Sequence, residues 1–191
     1  MLTQLSTLKS RLGITDTTDD TLLTNFILSA GARFERECNR SFERATNTTE
    51  EFAADAMEIP VARFPIESVS QFALKTNETD GWQVQSGVQY LIRRACVISL
   101  PYALGVASQQ ARVTYTGGYV LPGSSPGPGQ TALPADLEQA CVEQCAYWYQ
   151  NRHRLGLLSV PADGRTFHQL AQIDLLPQVV SVLRAYERWR N

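Results

Sequence analysis

The sequence predicts an α+β fold: a helical core that carries an antiparallel β-rich insertion and a C-terminal helical arm. Apolar residues recur at helical spacing over residues 1–40 and again over 134–154, as they do in amphipathic helices. Between these segments, residues 50–117 contain short β-branched and aromatic runs separated by turn residues. The length of 191 residues suits one domain that buries a core without disulfides or metal. We therefore predict a single domain over 1–191.

Two helices are predicted within residues 1–40. The first carries four leucines at helical spacing and is followed by Gly13, a typical helix stop. The second begins after the segment TDTTDD, which supplies N-cap oxygens and favourable negative charge at a helix start. Its apolar stripe consists of Leu22, Leu23, Phe26, Ile27, Ala30, Phe34 and Cys38.

Short segments of strand-forming residues fill the β-rich insertion. They are MEIPV, SVSQFALK, WQVQ, QYLIR, CVISL and ARVTYTG. Turn-forming stretches such as TNETDG and QSG separate them, which indicates hairpins in an antiparallel arrangement. Pro60 and Pro65 suit strand edges and bends. The two glycines of TGGY end a strand before a loop, so turn geometry explains them better than phosphate binding.

A Pro/Gly-rich segment at 121–133 separates the insertion from the third helix. It contains PGSSPGPGQT and very few apolar residues, so we predict an exposed, mobile loop. A long helix is predicted over 134–154, with Pro134 in its first turn and Asp136 and Glu138 near the positive end of its dipole. Its apolar face is predicted to hold Leu137, Cys141, Cys145, Trp148 and Tyr149.

The C-terminal arm, 155–191, begins with a second loop and ends in a short helix within LLPQVVSVLRAYERWRN. A helix of this length is marginal in water and needs a surface to pack on. Its end is rich in Tyr, Trp and Arg, the residue types enriched at binding hot spots. We therefore predict that the arm binds a partner through Arg184, Tyr186, Arg188 and Trp189. The alternative is that its apolar positions pack on the core of its own subunit.

The sequence carries no motif of a catalytic or cofactor-binding site. GxGxxG, Walker, HExxH and GxSxG motifs are absent. Cys141 and Cys145 lie four residues apart, but zinc requires four ligands, and His153 is two helical turns beyond Cys145, about 12 Å away. We predict that both cysteines are packing residues and that His153 and His168 are solvated. The chain is expected to be no enzyme and to need no cofactor or metal.

Composition narrows the possible partners further. The net charge is −2, and two short basic clusters near the C-terminus are too few for a nucleic-acid footprint. No segment approaches the roughly 18 apolar residues that span a bilayer, so no membrane is expected. The N-terminus lacks a signal-peptide layout. We expect a protein that is made and kept in a cytoplasm.

Taken in order, these segments resemble the head–tail connector (adaptor) family of tailed double-stranded DNA bacteriophages and related prophages. The resemblance rests on the opening helices with their acidic turn, then on PIESV, VTYTGGY, LPADLEQA and finally YQNR. No single piece is specific, but their order and spacing together are. The chain departs from the family pattern in its long 121–133 loop and in the extended segment after Gly156.

The resemblance implies a structural virion protein of the neck, made in the cytoplasm of the bacterial host. In this family, identical subunits form a ring of about twelve beneath the portal, and the ring joins the DNA-filled capsid to head-closure and tail proteins. Packaged DNA would pass through the channel without sequence-specific binding. The alternatives are another neck component (a head-closure or tail-completion protein) and a DNA-packaging accessory factor. A small thiol- or metal-dependent enzyme is a further alternative from another class.

Overall fold

The structure, a computed structural model, describes residues 1–153, 155, 160–162, 165–167 and 174–188. The fold is α+β, as the sequence predicts. The chain divides into two compact units. The helical unit comprises Met1–Cys38 and Leu133–Tyr186, and the β unit comprises Asn39–Ala132 and Glu187–Asn191. In the described part of the chain, no helix is long and apolar enough to cross a membrane.

The helical unit is organised around its third α-helix. The elements are α1 (Leu5–Leu12), α2 (Asp20–Cys38), α3 (Ala135–Gln150) and α4 (Pro177–Leu183), with a 3₁₀ turn at Arg184–Tyr186 and a hairpin of β10 (Val160–Ala162) and β11 (Arg165–Phe167). Helices α1, α2 and α4 all pack against α3. The stripe predicted for α2 is buried at Leu23, Ile27, Ala30, Phe34 and Cys38.

The ends of these helices follow local rules. Gly13 ends α1 in the left-handed conformation, with φ 69°, and its N–H bonds back to the last turn. Pro134 occupies the N-cap position of α3. This helix ends before Asn151, shorter than the predicted 134–154. At this C-terminus the Asn151 backbone N–H bonds the Tyr147 carbonyl oxygen at 3.1 Å, and the Asn151 side chain donates to the same oxygen at 2.9 Å.

The β unit is built from two antiparallel sheets and a small parallel pair. Its strands are β1 (Ala45–Ala53), β2 (Glu58–Pro60), β3 (Ile66–Lys75), β4 (Trp82–Gln85), β5 (Leu91–Arg93), β6 (Val97–Ser99), β7 (Gln110–Gly117), β8 (Tyr119–Val120) and β9 (Thr131–Ala132). The sheets have the orders β1-β7-β3-β4 and β2-β6-β5. Their shared core is formed by Ile59, Val61, Ile66, Phe72, Ile98, Leu100, Val113 and Tyr115.

The six predicted strand segments all contain strands, but two features of the β unit differ from the prediction. Strand β1 begins at Ala45, ahead of the predicted start at residue 50. Its first half is a polar, largely exposed stretch of Thr and Asn at the edge of a sheet, so it lacks the apolar pattern that marks a strand. Strands β8 and β9, which lie outside residues 50–117, pair in parallel and close the base of the 121–133 segment, so a short strand occupies part of the predicted loop. The strands β2 to β7 of the predicted insertion pair antiparallel.

The TGGY glycines are required by close backbone contacts. Gly118 has φ 105°, and a side chain there would come within 2.7 Å of the Glu43 carbonyl oxygen. A Cβ on Gly117 would lie 2.6 Å from the Arg63 carbonyl oxygen. Both positions therefore accept only glycine without backbone movement.

Arg40 is a buried cation in the β unit, with only 3% of its surface exposed. Its guanidinium carbon lies 3.2 Å from the ring centre of Phe64, 4.9 Å from that of Phe42 and 5.2 Å from that of Tyr119. It also donates to the Phe64 carbonyl oxygen. The electron-rich ring faces replace water around the charge, so Arg40 acts as a packing residue.

Candidate partner-binding surface

The first part of the C-terminal arm is anchored in the helical unit. Val179 and Leu183 of α4 are buried, and the Cys38 thiol donates to the Leu183 carbonyl oxygen at 3.5 Å. Before α4, Asp174 pairs with Arg33 at 3.1 Å. The apolar positions of the arm therefore pack within its own subunit, as the alternative in the sequence analysis envisaged.

Gln144 fixes the start of α4, and the sequence analysis did not identify it. Its side chain is fully buried in α3, and its Oε1 accepts a hydrogen bond from the Leu176 N–H at 2.8 Å. A buried amide needs such a partner, because desolvation without a hydrogen bond is costly. The only signal in the sequence is a polar residue between Cys141 and Cys145 on the apolar side of the helix.

The four predicted partner-binding residues have different environments. Arg184 is exposed. The Tyr186 hydroxyl donates to Asp136 Oδ1 at 2.6 Å, within the helical unit. Trp189 lies outside the described residues. Partner binding by these side chains stays a prediction.

Arg188, the fourth of these residues, lies in the β unit. Its Nη2 is 2.6 Å from Glu50 Oε1 and also donates to the Pro60 carbonyl oxygen. Glu50 Oε2 accepts in turn from the Ala62 N–H at 3.2 Å. Glu50 belongs to β1, whereas Pro60 ends β2. Arg188 thereby joins the edges of the two sheets.

Cys141 and Cys145 are buried on α3. The pKa of Cys141 is raised well above the usual thiol value, first by its hydrogen bond with Cys145 and then by burial. Both causes favour the neutral thiol over the thiolate that binds metal. Across the described residues, no group of three or more His, Cys, Asp or Glu side chains could hold a metal ion. His153 is exposed, and His168 lies outside the described residues.

Large apolar side chains are exposed mainly on the β unit. The exposed set is Met57, Val84, Tyr90, Leu91, Ile92, Tyr102 and Val106, with fractional exposures between 37% and 67%. Single exposed apolar residues are normal, but a group of them on adjacent segments indicates a binding surface. The exposure of these side chains could not be predicted from the sequence, because buried and exposed strands share the same residue types.

Arginine and tryptophan also meet on the outer face of the four-stranded sheet. The Arg112 guanidinium carbon lies 4.5 Å from the ring centre of Trp82, and the Lys75 ammonium lies 5.9 Å from it. Lys75 pairs with Glu78 at 2.6 Å. Arg112 Nε is buried and has no hydrogen-bond partner in the described part of the chain. The cation–π contact with Trp82 partly compensates for the missing hydrogen bond of this guanidinium.

The 121–133 segment forms a loop closed at its base by β8 and β9. Within it, the Gln130 side chain accepts from the Gly127 N–H at 2.9 Å, and the Gln130 N–H donates to the Gly127 carbonyl oxygen at 3.1 Å. Most of its residues are exposed. Its predicted mobility stays a prediction.

Comparison with known structures places this fold among parts of phage-like particles. A chain in the neck of an empty gene transfer agent (GTA) particle, computed with C6 symmetry, is 14% identical, with a TM-score of 0.59. A chain in the virion of a native GTA particle is 16% identical, with a TM-score of 0.55. Each comparison covers 98% of this chain and 90% of the other. At these identities the similarity establishes the fold alone.

The family comparison covers almost the whole chain. No curated protein sequence matches it. The model of the head completion protein family, however, matches residues 1–189. The resemblance inferred from the sequence is thereby confirmed, as is the expectation of a structural virion protein. The chain belongs to the head completion protein family, a family of structural proteins and not of enzymes.

Proposed function

We propose that this chain is the head–tail connector (adaptor) subunit of a phage or phage-like particle. Identical copies form a ring of about twelve beneath the portal, and the ring joins the DNA-filled capsid to the neck and tail. The observation that carries this proposal is the full-length family match over residues 1–189. The similar chain from a GTA neck with C6 symmetry supports it, because a ring of about twelve contains a six-fold axis.

The chemistry of the surface also supports a ring subunit. A closed ring uses two different faces of each subunit, so the free monomer must expose surface that assembly will cover. The β unit carries such surface, including Leu91 at 67% exposure and Val84 at 60%. The proposed role needs no catalysis and no cofactor.

The C-terminal arm is the proposed contact with the portal. Arg184 is exposed and available to a carboxylate of a partner. Tyr186 and Arg188 already bond to carboxylates of their own chain, and a portal carboxylate could replace these partners during docking. We propose Trp189 as a further contact because Trp is enriched at hot spots.

The remaining proposed partners follow from this position in the virion neck. Head-closure and tail proteins bind the side of the ring that faces away from the portal. Packaged DNA passes through the channel without sequence-specific binding, which suits a chain of net charge −2. The subunits are made in the cytoplasm of the bacterial host before assembly.

Deletion of the gene in its phage or prophage tests this function. We expect filled or leaking capsids that carry a portal but no tail, and complementation with the wild-type gene should restore tailed particles. Purified protein should bind isolated portal rings, as measured by co-sedimentation. Binding only to a downstream neck protein would identify a head-closure or tail-completion protein instead. Strong, salt-dependent binding to duplex DNA would favour a packaging factor.

A variant with Arg184→Glu tests the role of the arm in portal binding. Arg184 is exposed, so the substitution should leave the fold intact while it weakens co-sedimentation with portal rings about tenfold or more. Arg11→Glu, an exposed arginine near the end of α1, is the matched control. Unchanged portal binding by the Arg184 variant would remove this residue from the interface.

A further inference from the structure

The β unit has two lateral edges that differ in chemistry. Strands β1 and β2 lie at one edge, where Glu50 of β1 accepts from the Ala62 N–H just after β2. Strands β4 and β5 lie at the other edge. There the Tyr90 ring, next to β5, is 5.8 Å from the Phe72 ring of β3, and β4 pairs with β3. We name these the β1/β2 edge and the β4/β5 edge.

The β4/β5 edge is apolar and basic. Val84 is 60% exposed, Leu91 67% and Ile92 39%. Within the described chain, β5 pairs only with β6, so its outer backbone groups have no strand partner. An exposed apolar edge strand is a template for another chain. Two arginines lie at the end of this strand: Arg93, its last residue, pairs with Glu58 at 3.0 Å, whereas Arg94, in the turn that joins β5 to β6, is exposed.

The β1/β2 edge has an exposed apolar residue and several acidic ones, of which Glu50 is already paired with Arg188. Glu51 and Asp55 are exposed, and among the described residues neither carboxylate forms an ion pair or a side-chain hydrogen bond. Glu51 lies directly opposite Arg112 of β7 in the strand register, and Arg112 stacks on the ring of Trp82. Met57, beside β2, is 52% exposed. Carboxylates without a partner therefore lie on the opposite edge from Arg94.

We propose that copies of this chain join head-to-tail through these edges, the β4/β5 edge of one copy against the β1/β2 edge of the next. Arg94 meets Glu51 and Asp55 of the neighbour, and Leu91 packs on its Met57. This inference rests on the proposed ring function and adds the surfaces that close the ring. Because the two edges lie on opposite sides of one unit, the contact repeats from copy to copy, as a ring requires.

The charges favour this arrangement over a symmetric dimer. If two β4/β5 edges faced each other, both copies of Arg94 would approach without a carboxylate, and like charges at an interface disfavour association. The pairing of opposite edges gives each unpaired charge an opposite partner. Burial of Leu91 and Met57 supplies most of the favourable free energy of association. The opposite charges determine which edge of the neighbour is bound and in which orientation.

Charge exchange between the edges tests the inference. In sedimentation velocity at rising concentration, Arg94→Glu and the double change Glu51→Arg with Asp55→Arg should each weaken self-association about tenfold or more. A chain that carries all three changes has both edges reversed and should regain association. Leu91→Asp should abolish association in the same way, and Arg11→Glu, in α1 of the helical unit, should have no effect. All of these side chains are exposed, so the melting temperature should stay close to that of the wild type.

Cysteine cross-linking gives an independent measurement. A variant with Met57→Cys and Leu91→Cys should form a ladder of disulfide-linked oligomers under mild oxidation, whereas each single variant should not form a ladder beyond the dimer. Rings that persist in Leu91→Asp and Arg94→Glu would overturn the inference and leave the connector function standing. A wild-type chain that neither associates nor gives the 57–91 cross-link at about millimolar concentration would also overturn it. Failure of the connector function itself would appear separately, as normal tailed particles after deletion of the gene.

Discussion

Arg188 and Glu50 form an ion pair within the β unit, with Nη2 of the arginine 2.6 Å from Oε1 of the glutamate. The two side chains are 21% and 19% exposed, so water screens the pair only in part. Arg188 also donates to the Pro60 carbonyl oxygen. The pair therefore attaches the C-terminal segment to the edges of two sheets.

Arg188→Ala should lower the free energy of unfolding by about 1–3 kcal/mol, because Glu50 loses a charged hydrogen-bond partner in a partly buried position. Glu50→Ala should have a similar effect. The double variant should lose less than the sum of the two, which denaturant unfolding in a double-mutant cycle measures. Arg184→Ala is the control and should stay within about 0.5 kcal/mol of the wild type. Strict additivity would contradict the coupling.

Gln144→Ala should loosen the arm from the helical unit. The substitution leaves the Leu176 N–H without its acceptor, which costs about 1–3 kcal/mol, and hydrogen exchange in α4 should accelerate. Gln139→Ala is the matched control, since Gln139 lies on the same helix but only bonds the exposed Glu143 side chain. Equal exchange in α4 for both variants would show that Gln144 does not hold the arm.

Stability should decline at alkaline pH partly through Tyr115. Burial is the main cause that raises the pKa of Tyr115, and its hydroxyl accepts from the Arg63 N–H at 3.1 Å. The pKa of Tyr115 is higher in the folded protein than in the unfolded chain, so the neutral phenol stabilises the fold. This contribution to the free energy of unfolding is complete below about pH 10 and is lost as the pH rises through the folded pKa. Tyr115→Phe should reduce the alkaline decline, measured as unfolding midpoint against pH. An unchanged decline would exclude Tyr115 as its source.

In the helical unit, the pKa of Tyr149 should also lie above the usual tyrosine value. Its hydroxyl donates to Asp19 Oδ2 at 2.5 Å, and this hydrogen bond is the main cause that raises the pKa of Tyr149. Asp19→Asn should therefore lower the pKa of Tyr149, as tyrosinate absorbance in an alkaline titration would record. The Tyr149→Phe variant lacks this phenol, so the absorbance step that is missing from its titration curve belongs to Tyr149. A titration curve identical to the wild type would contradict the assignment.

Replacement of Cys141 and Cys145 by Ala should leave assembly intact and cost at most a few kcal/mol, about the range for small buried side chains. In the native protein both thiols should resist alkylation near pH 8, since both are buried and the raised pKa of Cys141 disfavours its thiolate. Elemental analysis of the wild type should find no stoichiometric metal. A metal that is present in the wild type and lost in the double variant would contradict the packing role.

Limited proteolysis should cut the 121–133 loop before either flanking element. The loop exposes a run of Gly and Pro between Pro122 and Gly129, and few apolar contacts hold such sequences. Gln130→Ala removes the hydrogen bond to the Gly127 N–H and should accelerate cleavage. Strong protection of the loop in a monomeric sample would contradict its predicted mobility.

The helices and strands of this protein could be predicted from its sequence, because helical and strand periodicities are local properties. The α2 stripe, the Gly13 stop, the Pro134 start and six strand segments are all present. The prediction differed from the structure where the local signal was weak, as in the polar half of β1 and at the C-terminal end of α3, which stops at Gln150. The family resemblance was readable for a similar reason, since it rests on short motifs in a fixed order.

Which of these helices and strands contact each other could be read only from the folded chain. The strand order β1-β7-β3-β4 places β1 beside a strand far along the chain, and Arg188 pairs with Glu50 across 138 residues. Such contacts depend on the sum of packing and loop closure over the whole chain, and no local pattern encodes that sum. The same holds for exposure: Leu91 and Ile98 belong to similar apolar runs, yet one lies on an open edge and the other in the core. Their difference follows from the number of strands that surround each of them.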